Sequence, residues 1–379
     1  MVVMIIYYTV KFCTREKNYG DEYMINALVL FGGVSSEHDV STVSARSVIE
    51  NTPADKYNVI KVGITKDGRW LKYDGDVNNL PDDRWLEDTK NLKKAILSPD
   101  RQDRGLLVFG DSGVENIRID VAFPVLHGKN GEDGTIQGFL QVAGIPFVGC
   151  DMLASACCMD KVTTNTLIDA AGIPQAKWIG LNQYDYNKQP QKYIDEAAEY
   201  LGFPIFVKPA NAGSSVGVSK AKDTDSLSAA IDIAFREDCK LVLEEGISGM
   251  EVECAVLGNE EPVASICGEI EPANDFYDYE SKYVNPASLL HIPARLDEGK
   301  MNEVREAAVK TYKALGCSGL ARVDFFVRES DGLVMLNEPN TIPGFTSISM
   351  YPKMFAASGV PYPELIDRLF SFALEKWEK

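Results

Sequence analysis

Apolar and polar positions along the chain follow two rhythms, and their order predicts the architecture. ALVLFGG (27–33) is an unbroken apolar run closed by two glycines, the pattern of a buried strand and a tight turn. VSTVSARSVIE (40–50) spaces small and apolar residues as a helix does. YNVIKVGIT (57–65) reads as a strand that turns through KDG into RWLKY as a hairpin. Residues 71–104 carry a weak pattern and read as an insertion. IDVAFPVL (119–126) is a further strand, and the helix TIQGFLQVAG (135–144) puts Ile136, Phe139, Leu140 and Ala143 on one face before IPFVG (145–149) closes the unit. This alternation predicts an α/β, Rossmann-like domain with a mainly parallel sheet over residues 26–149.

From Cys150 the rhythm changes. LASACCMDKVTTNTLIDA (153–170) reads as one helix, PIFVKP (204–209) as a strand entering a loop, LSAAIDIAF (227–235) as a helix and KLVLEEGI (240–247) as a strand. These fill a second segment, 150–247. The third, 248–379, opens with strands at MEVECAVLG (250–258) and ASICGEI (264–270), followed by a long polar-aromatic loop to residue 290. A helix at MNEVREAAVKTYKAL (301–315), the hairpin ARVDFFV–GLVML and a last helix from about Pro363 complete an α+β half.

A chain of 379 residues has room for two or three domains. Its net charge of −18 argues against gripping nucleic acid, so an anionic ligand must be met by a local concentration of cations and metal. The eight cysteines form no CxxC pair and no Cys/His ligand spacing, which predicts buried thiols in a reducing compartment. Three histidines (His38, His127, His291) leave little material for a histidine metal site. MVVMIIYYTV, at the N-terminus, is far shorter than the ~20 apolar residues a bilayer requires. It also lacks the basic start and cleavage site of a signal peptide. Residues 1–25 are therefore read as an N-terminal extension, no membrane partner is expected, and the cytoplasm is the expected location.

Six stretches carry candidate chemistry, two of them as a pair. In LARVDFF the strand period of two puts Arg322 and Asp324 on one face, and in NEPN it does the same for Glu338 and Asn340. Neighbouring strands with these oxygens suit a hard cation such as Mg²⁺ that also touches phosphate; either strand alone could be a solvated hairpin end. FVKPANAGSSVGVSK (206–220) delivers Lys208 to a glycine-serine loop fit to approach phosphate, or simply a flexible hairpin; it matches neither GxxxxGK[ST] nor GxGxxG. LHGKNGEDGTIQG (126–138) sets His127, Glu132 and Asp133 before a helix, as pocket groups or as caps. FGGVSSEHDVS (31–41) brings Glu37 to the end of a sheet strand, where open α/β sheets bind ligands, or into a helix cap. DFYDYESKYV (275–284) is an aromatic, charged loop that either works over a cleft or packs across one.

Read together and in this order, FGGVSSEHDVS, FPVLHGKNGEDGTIQG, GIPFVGCD, CMDK, VKPANAGSSVG, FYDYESKY, GLARVDFF and NEPNTIPGFTS resemble the D-alanine–D-alanine ligases of the ATP-grasp superfamily, from about residue 26 to 375. The resemblance implies ATP held between the second and third segments, and two D-alanine molecules joined into the peptidoglycan dipeptide through a D-alanyl phosphate. Lys161, Lys208 and Ser215 resemble the residues at the ATP phosphates, and Glu244 and Glu251 those at adenine and ribose. Asp324, Glu338 and Asn340 match the ligands of two Mg²⁺ ions, with Mn²⁺ an alternative occupant. Glu37 matches the carboxylate at the first ammonium, and His127 the pocket histidine. Arg322 and the Gly344 N–H resemble the oxyanion donors, while Lys282 and Ser349 match the groups at the second carboxylate. Tyr283, Ser214 and Glu37 resemble the trio that shuts the long loop, and a homodimer is implied. Pro339 and Ile348 depart from the family's usual residues. Met350 stands where D-serine- and D-lactate-using relatives carry arginine, which favours D-alanine over D-serine as acceptor. A non-catalytic ATP-binding regulator would lack a ligand or Lys208, and none is missing.

Overall fold

The structure, a computed structural model, describes residues 24–214, 216–271 and 289–378. Its first layer is a seven-stranded sheet in the order β6-β5-β4-β3-β2-β1-β7. These are β1 (Ile25–Gly32), β2 (Tyr57–Ile64), β3 (Trp70–Tyr73), β4 (Leu92–Leu97), β5 (Gly105–Gly110), β6 (Gly113–Arg118) and β7 (Val121–Pro124). The unbroken apolar run of β1 follows from burial on both faces. Ala27, Val29 and Phe31 enter one core, and Leu28 and Leu30 enter another. Parallel pairing is confined to β2, β1 and β7; the strands from β3 to β6 extend the sheet antiparallel. Residues 71–104 therefore help build the sheet rather than interrupt it. Their weak pattern has a physical cause, because β4 buries only two of its six residues and β6, at the edge, buries none. Helix α1 (His38–Glu50) packs in the first core and α2 (Thr135–Ala143) in the second.

The single helix expected over 153–170 is two, α3 (Met152–Met159) and α4 (Lys161–Ala170). Asp160 breaks it: its side chain accepts from Thr163 N–H at 2.9 Å, and this N-cap competes with helix continuation. A four-stranded antiparallel sheet follows, ordered β10-β9-β11-β8: β8 (Trp178–Asn182), β9 (Ile205–Pro209), β10 (Ser219–Ala221), β11 (Lys240–Glu245). Strand β9 buries Ile205 and Val207 in this sheet's own core and turns Phe206 and Lys208 to the opposite side.

The third sheet has six antiparallel strands: β12 (Gly249–Gly258), β13 (Val263–Ala264), β14 (Gly268–Glu271), β15 (Leu289–His291), β16 (Gly319–Arg328) and β17 (Val334–Asn340). The strand expected over 264–270 is split into β13 and β14; between them the Ile266 N–H leaves the ladder for Ser358 Oγ at 2.8 Å. Strand β17 runs past Leu336 to Asn340, with Pro339 opposite Val323 inside it. An edge strand tolerates the donor that proline lacks. A register shift between Asp324 and Phe325 leaves Asn337 as the extra residue. The first and third sheets share an apolar core, in which Phe123 and Val125 meet Ala255, Leu257 and Phe345. Among the described residues no helix is long and apolar enough to cross a membrane.

Candidate active site

A cavity of about 560 Å³ is lined by the four-stranded sheet, the six-stranded sheet and the loops at the end of β1. On the six-stranded side, Arg322 Nε donates to Asp324 Oδ1 at 2.8 Å and Nη2 to Oδ2 at 2.7 Å. Glu253, in register with Asp324 on β12, brings Oε1 to 3.2 Å from Arg322 Nε. Burial works against the guanidinium, but the Asp324 and Glu253 carboxylates outweigh it and hold its pKa well above the usual arginine value. Asn340 Nδ2 donates to Asp324 Oδ2 at 3.0 Å. With that nitrogen engaged, the amide's remaining ligand atom is its carbonyl oxygen. Glu338, paired with Asp324 across the strands, adds a carboxylate on the same face. Asp324 Oδ2 uses both lone pairs on Arg322 and Asn340, but Oδ1 keeps one, so with Glu338 and the Asn340 carbonyl oxygen this all-oxygen set fits Mg²⁺ or Mn²⁺.

Facing it, Lys208 Nζ lies 2.6 Å from Glu244 Oε2, and Glu244 Oε1 accepts from Asn165 at 3.1 Å. Burial disfavours the Lys208 ammonium, yet Glu244, Glu338 and Glu251 together raise its pKa above the ordinary lysine value. Lys161, the first residue of α4, donates to the Ala212 carbonyl at 2.8 Å and ties down the glycine-serine loop. Glu251 lines the cavity across from them, from β12 of the six-stranded sheet.

At the end of β1, Glu37 holds the N-cap position of α1 without a capping bond from its side chain, and its Oε1 accepts from Ser214 Oγ across the cleft. Gly128 (φ +70) leaves room for it, since a Cβ there would stand 2.4 Å from Glu37 Oε2. His127 Nδ1 lies 3.1 Å from the Ile342 carbonyl, which only accepts, so Nδ1 carries the hydrogen and Nε2 accepts from Ser44 Oγ at 3.1 Å. Burial drives the His127 pKa below its ordinary value despite the nearby Glu37 carboxylate, so the ring is neutral. Glu132 accepts from Gly128 N–H at 2.7 Å; burial and the Glu37 charge push its pKa up to about 8. Gly344, Ser349 and Met350 also line the cavity, with Ser349 at the N-terminus of α5 (Met350–Ala357). The positive end of that helix suits a carboxylate. Lys282, Tyr283 and Ser215 lie outside the described residues.

Residues 26–150 match the family described as D-ala D-ala ligase N-terminus, and residues 167–371 the one described as D-ala D-ala ligase C-terminus. The chain belongs to the D-alanine–D-alanine ligase family. Among relatives of this ligase family, the D-alanine–D-alanine ligase of Acetivibrio thermocellus is 49% identical, covering 92% of this chain and 96% of its own. That of Caldicellulosiruptor bescii is also 49% identical, over 93% and 96%. Among solved structures, the VanG D-Ala:D-Ser ligase of Enterococcus faecalis superposes with a TM-score of 0.85 at 42% identity, covering 93% of this chain and all of that one. The Coxiella burnetii D-alanine–D-alanine ligase gives 0.81 at 33%, over 93% and 96%. The fold is accordingly that of the ATP-grasp ligases, ATP-dependent enzymes that form a peptide bond.

Within this ligase-family site, three contributors escape the sequence reading. Glu253 left a signal, because the period of two in MEVEC puts it on the face of Glu251. Asn165, which holds Glu244, sits in a run of polar helix residues that gives no such sign. Ser44 is one of four serines between 35 and 44, and nothing local marks it as the partner of His127.

Proposed function

We infer that this protein is an ATP-dependent D-alanine–D-alanine ligase that makes the D-Ala-D-Ala dipeptide for peptidoglycan through a D-alanyl phosphate. The observation that carries the reading is the meeting of three groups in one cleft: Lys208 with Glu244, Arg322 with Asp324, Glu338 and Asn340, and Glu37 with Ser214. A carboxylate is a poor electrophile, so one D-alanine is phosphorylated before the second amine attacks.

In this reading Lys161, Lys208 and Ser215 hold the ATP phosphates, with Glu244 and Glu251 at adenine and ribose. Asp324, Glu338 and Asn340 hold two Mg²⁺ ions, which supply charge neutralisation for phosphoryl transfer. Glu37 takes the first ammonium with His127 beside it. Arg322 and the Gly344 N–H donate to the tetrahedral oxyanion. Lys282 and Ser349 receive the second carboxylate beside Met350, and Tyr283 joins Ser214 and Glu37 to keep water from the acyl phosphate. Residues 26–149 would hold the first D-alanine, and 150–247 with 248–379 would clamp the nucleotide. A cytoplasmic homodimer belongs to the same reading; for the compartment alone, the thiols that are free among the described residues lend support.

The test is phosphate release from Mg-ATP with and without D-alanine, followed by D-alanine, D-serine and D-lactate as competing acceptors. Expected are D-alanine-dependent release and a dipeptide, with the highest kcat/KM for D-alanine. Release that ignores D-alanine would remove the ligase reading. A higher kcat/KM for D-serine would convert it to the D-Ala:D-Ser reading that the Enterococcus likeness suggests. The apolar, buried Met350 speaks against that outcome, although an apolar pocket rejects an added hydroxyl by only about a hundredfold.

A further inference from the structure

His38, next to Glu37 at the start of α1, holds contacts that a neutral imidazole cannot satisfy. The side chain is only 1% exposed. Its Nδ1 lies 2.8 Å from the Gly33 carbonyl oxygen, and its Nε2 lies 2.9 Å from Asp83 Oδ1. A carbonyl only accepts, and so does an ionised carboxylate. Turning the ring over offers no escape, because carbon atoms would then face both oxygens.

Asp83 does not supply the missing hydrogen. Its Oδ1 also accepts from Trp85 Nε1 at 3.1 Å, and its Oδ2 lies 3.5 Å from Lys66 Nζ. Burial pushes this carboxyl up, but His38, Trp85 and Lys66 outweigh burial and hold it below its ordinary value. Nor is the cluster a metal site. His38, Asp39 and Asp83 bring potential ligand atoms together, but the Lys66 ammonium, 2.8 Å from Asp39 Oδ1, already stands among them as the cation.

The surroundings fit a fixed clamp. Gly32 (φ +85) and Gly33 (φ +102) turn the chain off β1, and a Cβ on Gly32 would stand 2.3 Å from the Ile64 oxygen and 2.9 Å from His38 Cε1. Asp82 and Asp83 both adopt left-handed φ, 60 and 56, which persists in non-glycine residues only where the surroundings hold it.

We propose that His38 is a buried imidazolium whose two ring N–H groups tie the Gly32–Gly33 turn to Asp83 and so position Glu37 for the first amino acid. It is a positioning residue, acting through Glu37, and this part rests on the role given to Glu37 under Proposed function. The 71–104 stretch thereby gains a task, because it brings Asp83 to the clamp.

The experiment has two arms. The first is ¹⁵N NMR of the histidine-labelled full chain at pH 7.5, with His38 assigned by the signals lost in His38→Gln. Two protonated ring nitrogens are expected, and a non-protonated one overturns the proposal. This arm needs no substrate, so a wild-type chain that made no dipeptide would sink the ligase reading without touching it. The second arm measures Asp83→Asn and His38→Gln in steady state. The KM of the first D-alanine should rise about tenfold or more, the scale of a hydrogen bond to a charged group, while the KM of ATP stays put. The double variant should be no worse than the poorer single. An unchanged first-site KM in Asp83→Asn, with Tm preserved, overturns the positioning role.

Discussion

Arg322 and Asp324 meet side by side on one strand in a two-pronged pair of 2.8 and 2.7 Å, and the same carboxylate receives the Asn340 amide at 3.0 Å. One side chain therefore fixes both Arg322, the proposed oxyanion donor, and Asn340, a proposed metal ligand. In Asp324→Asn, Arg322 would lose its two-pronged charged partner and keep the charges of Glu253 and Glu338. The kcat should fall by about 10²–10³, the cost of a misplaced oxyanion donor, and half-maximal activity should need more Mg²⁺. A kcat within tenfold of wild type at the usual Mg²⁺ would refute this.

Lys208 and Glu244 form a largely buried pair at 2.6 Å. Lys208→Met leaves a carboxylate without its cation and should cost about 3–5 kcal/mol of stability, besides raising the KM of ATP. Adding Glu244→Gln should recover part of the loss, as urea unfolding can show. A double variant less stable than Lys208→Met would contradict the pairing.

Glu132 sets a pH dependence. Its carboxyl is raised from the ordinary 4.5 to about 8 in the folded chain. Between those values the folded state holds a proton that the unfolded state has released, so stability must fall as pH rises. The contribution is whole below pH 4.5 and gone above about 8. Glu132→Gln should flatten the stability–pH curve across this window relative to wild type. Superimposable curves would exclude the shift.

Ser44 serves two buried partners, His127 Nε2 at 3.1 Å and the Phe345 N–H at 3.4 Å. Ser44→Ala should cost about 1–3 kcal/mol, seen as a lower urea midpoint with an unchanged m-value. No change in midpoint would show that neither bond matters.

What could be read from the chain follows from the range of each signal. Period-two spacing put Arg322 with Asp324 and Glu338 with Asn340, and these pairs do share a face, because the extra residue of the bulge, Asn337, falls before Glu338. Pro339 sits inside β17, since an edge strand does not need the donor that proline lacks. Strand β6 was illegible because it buries no residue, and an element without a core leaves no apolar trace. The helix break at Asp160 was a capping contest that apolar spacing does not record. His127 with Ser44, 83 positions away, and His38 with Asp83, 45 away, exist only once the sheet has brought distant turns together.

The apolar interior common to the first and third sheets has a mechanical consequence. Phe123 stacks edge-on against Phe345, and neither layer can slide on the other without tearing that seam. The four-stranded sheet keeps a separate interior built on Leu181, Val207 and Leu243. That interior shares no side chain with the seam, so the Ser214–Glu37 hydrogen bond is where the loop after its strand β9 is tied to the base formed by the other two sheets.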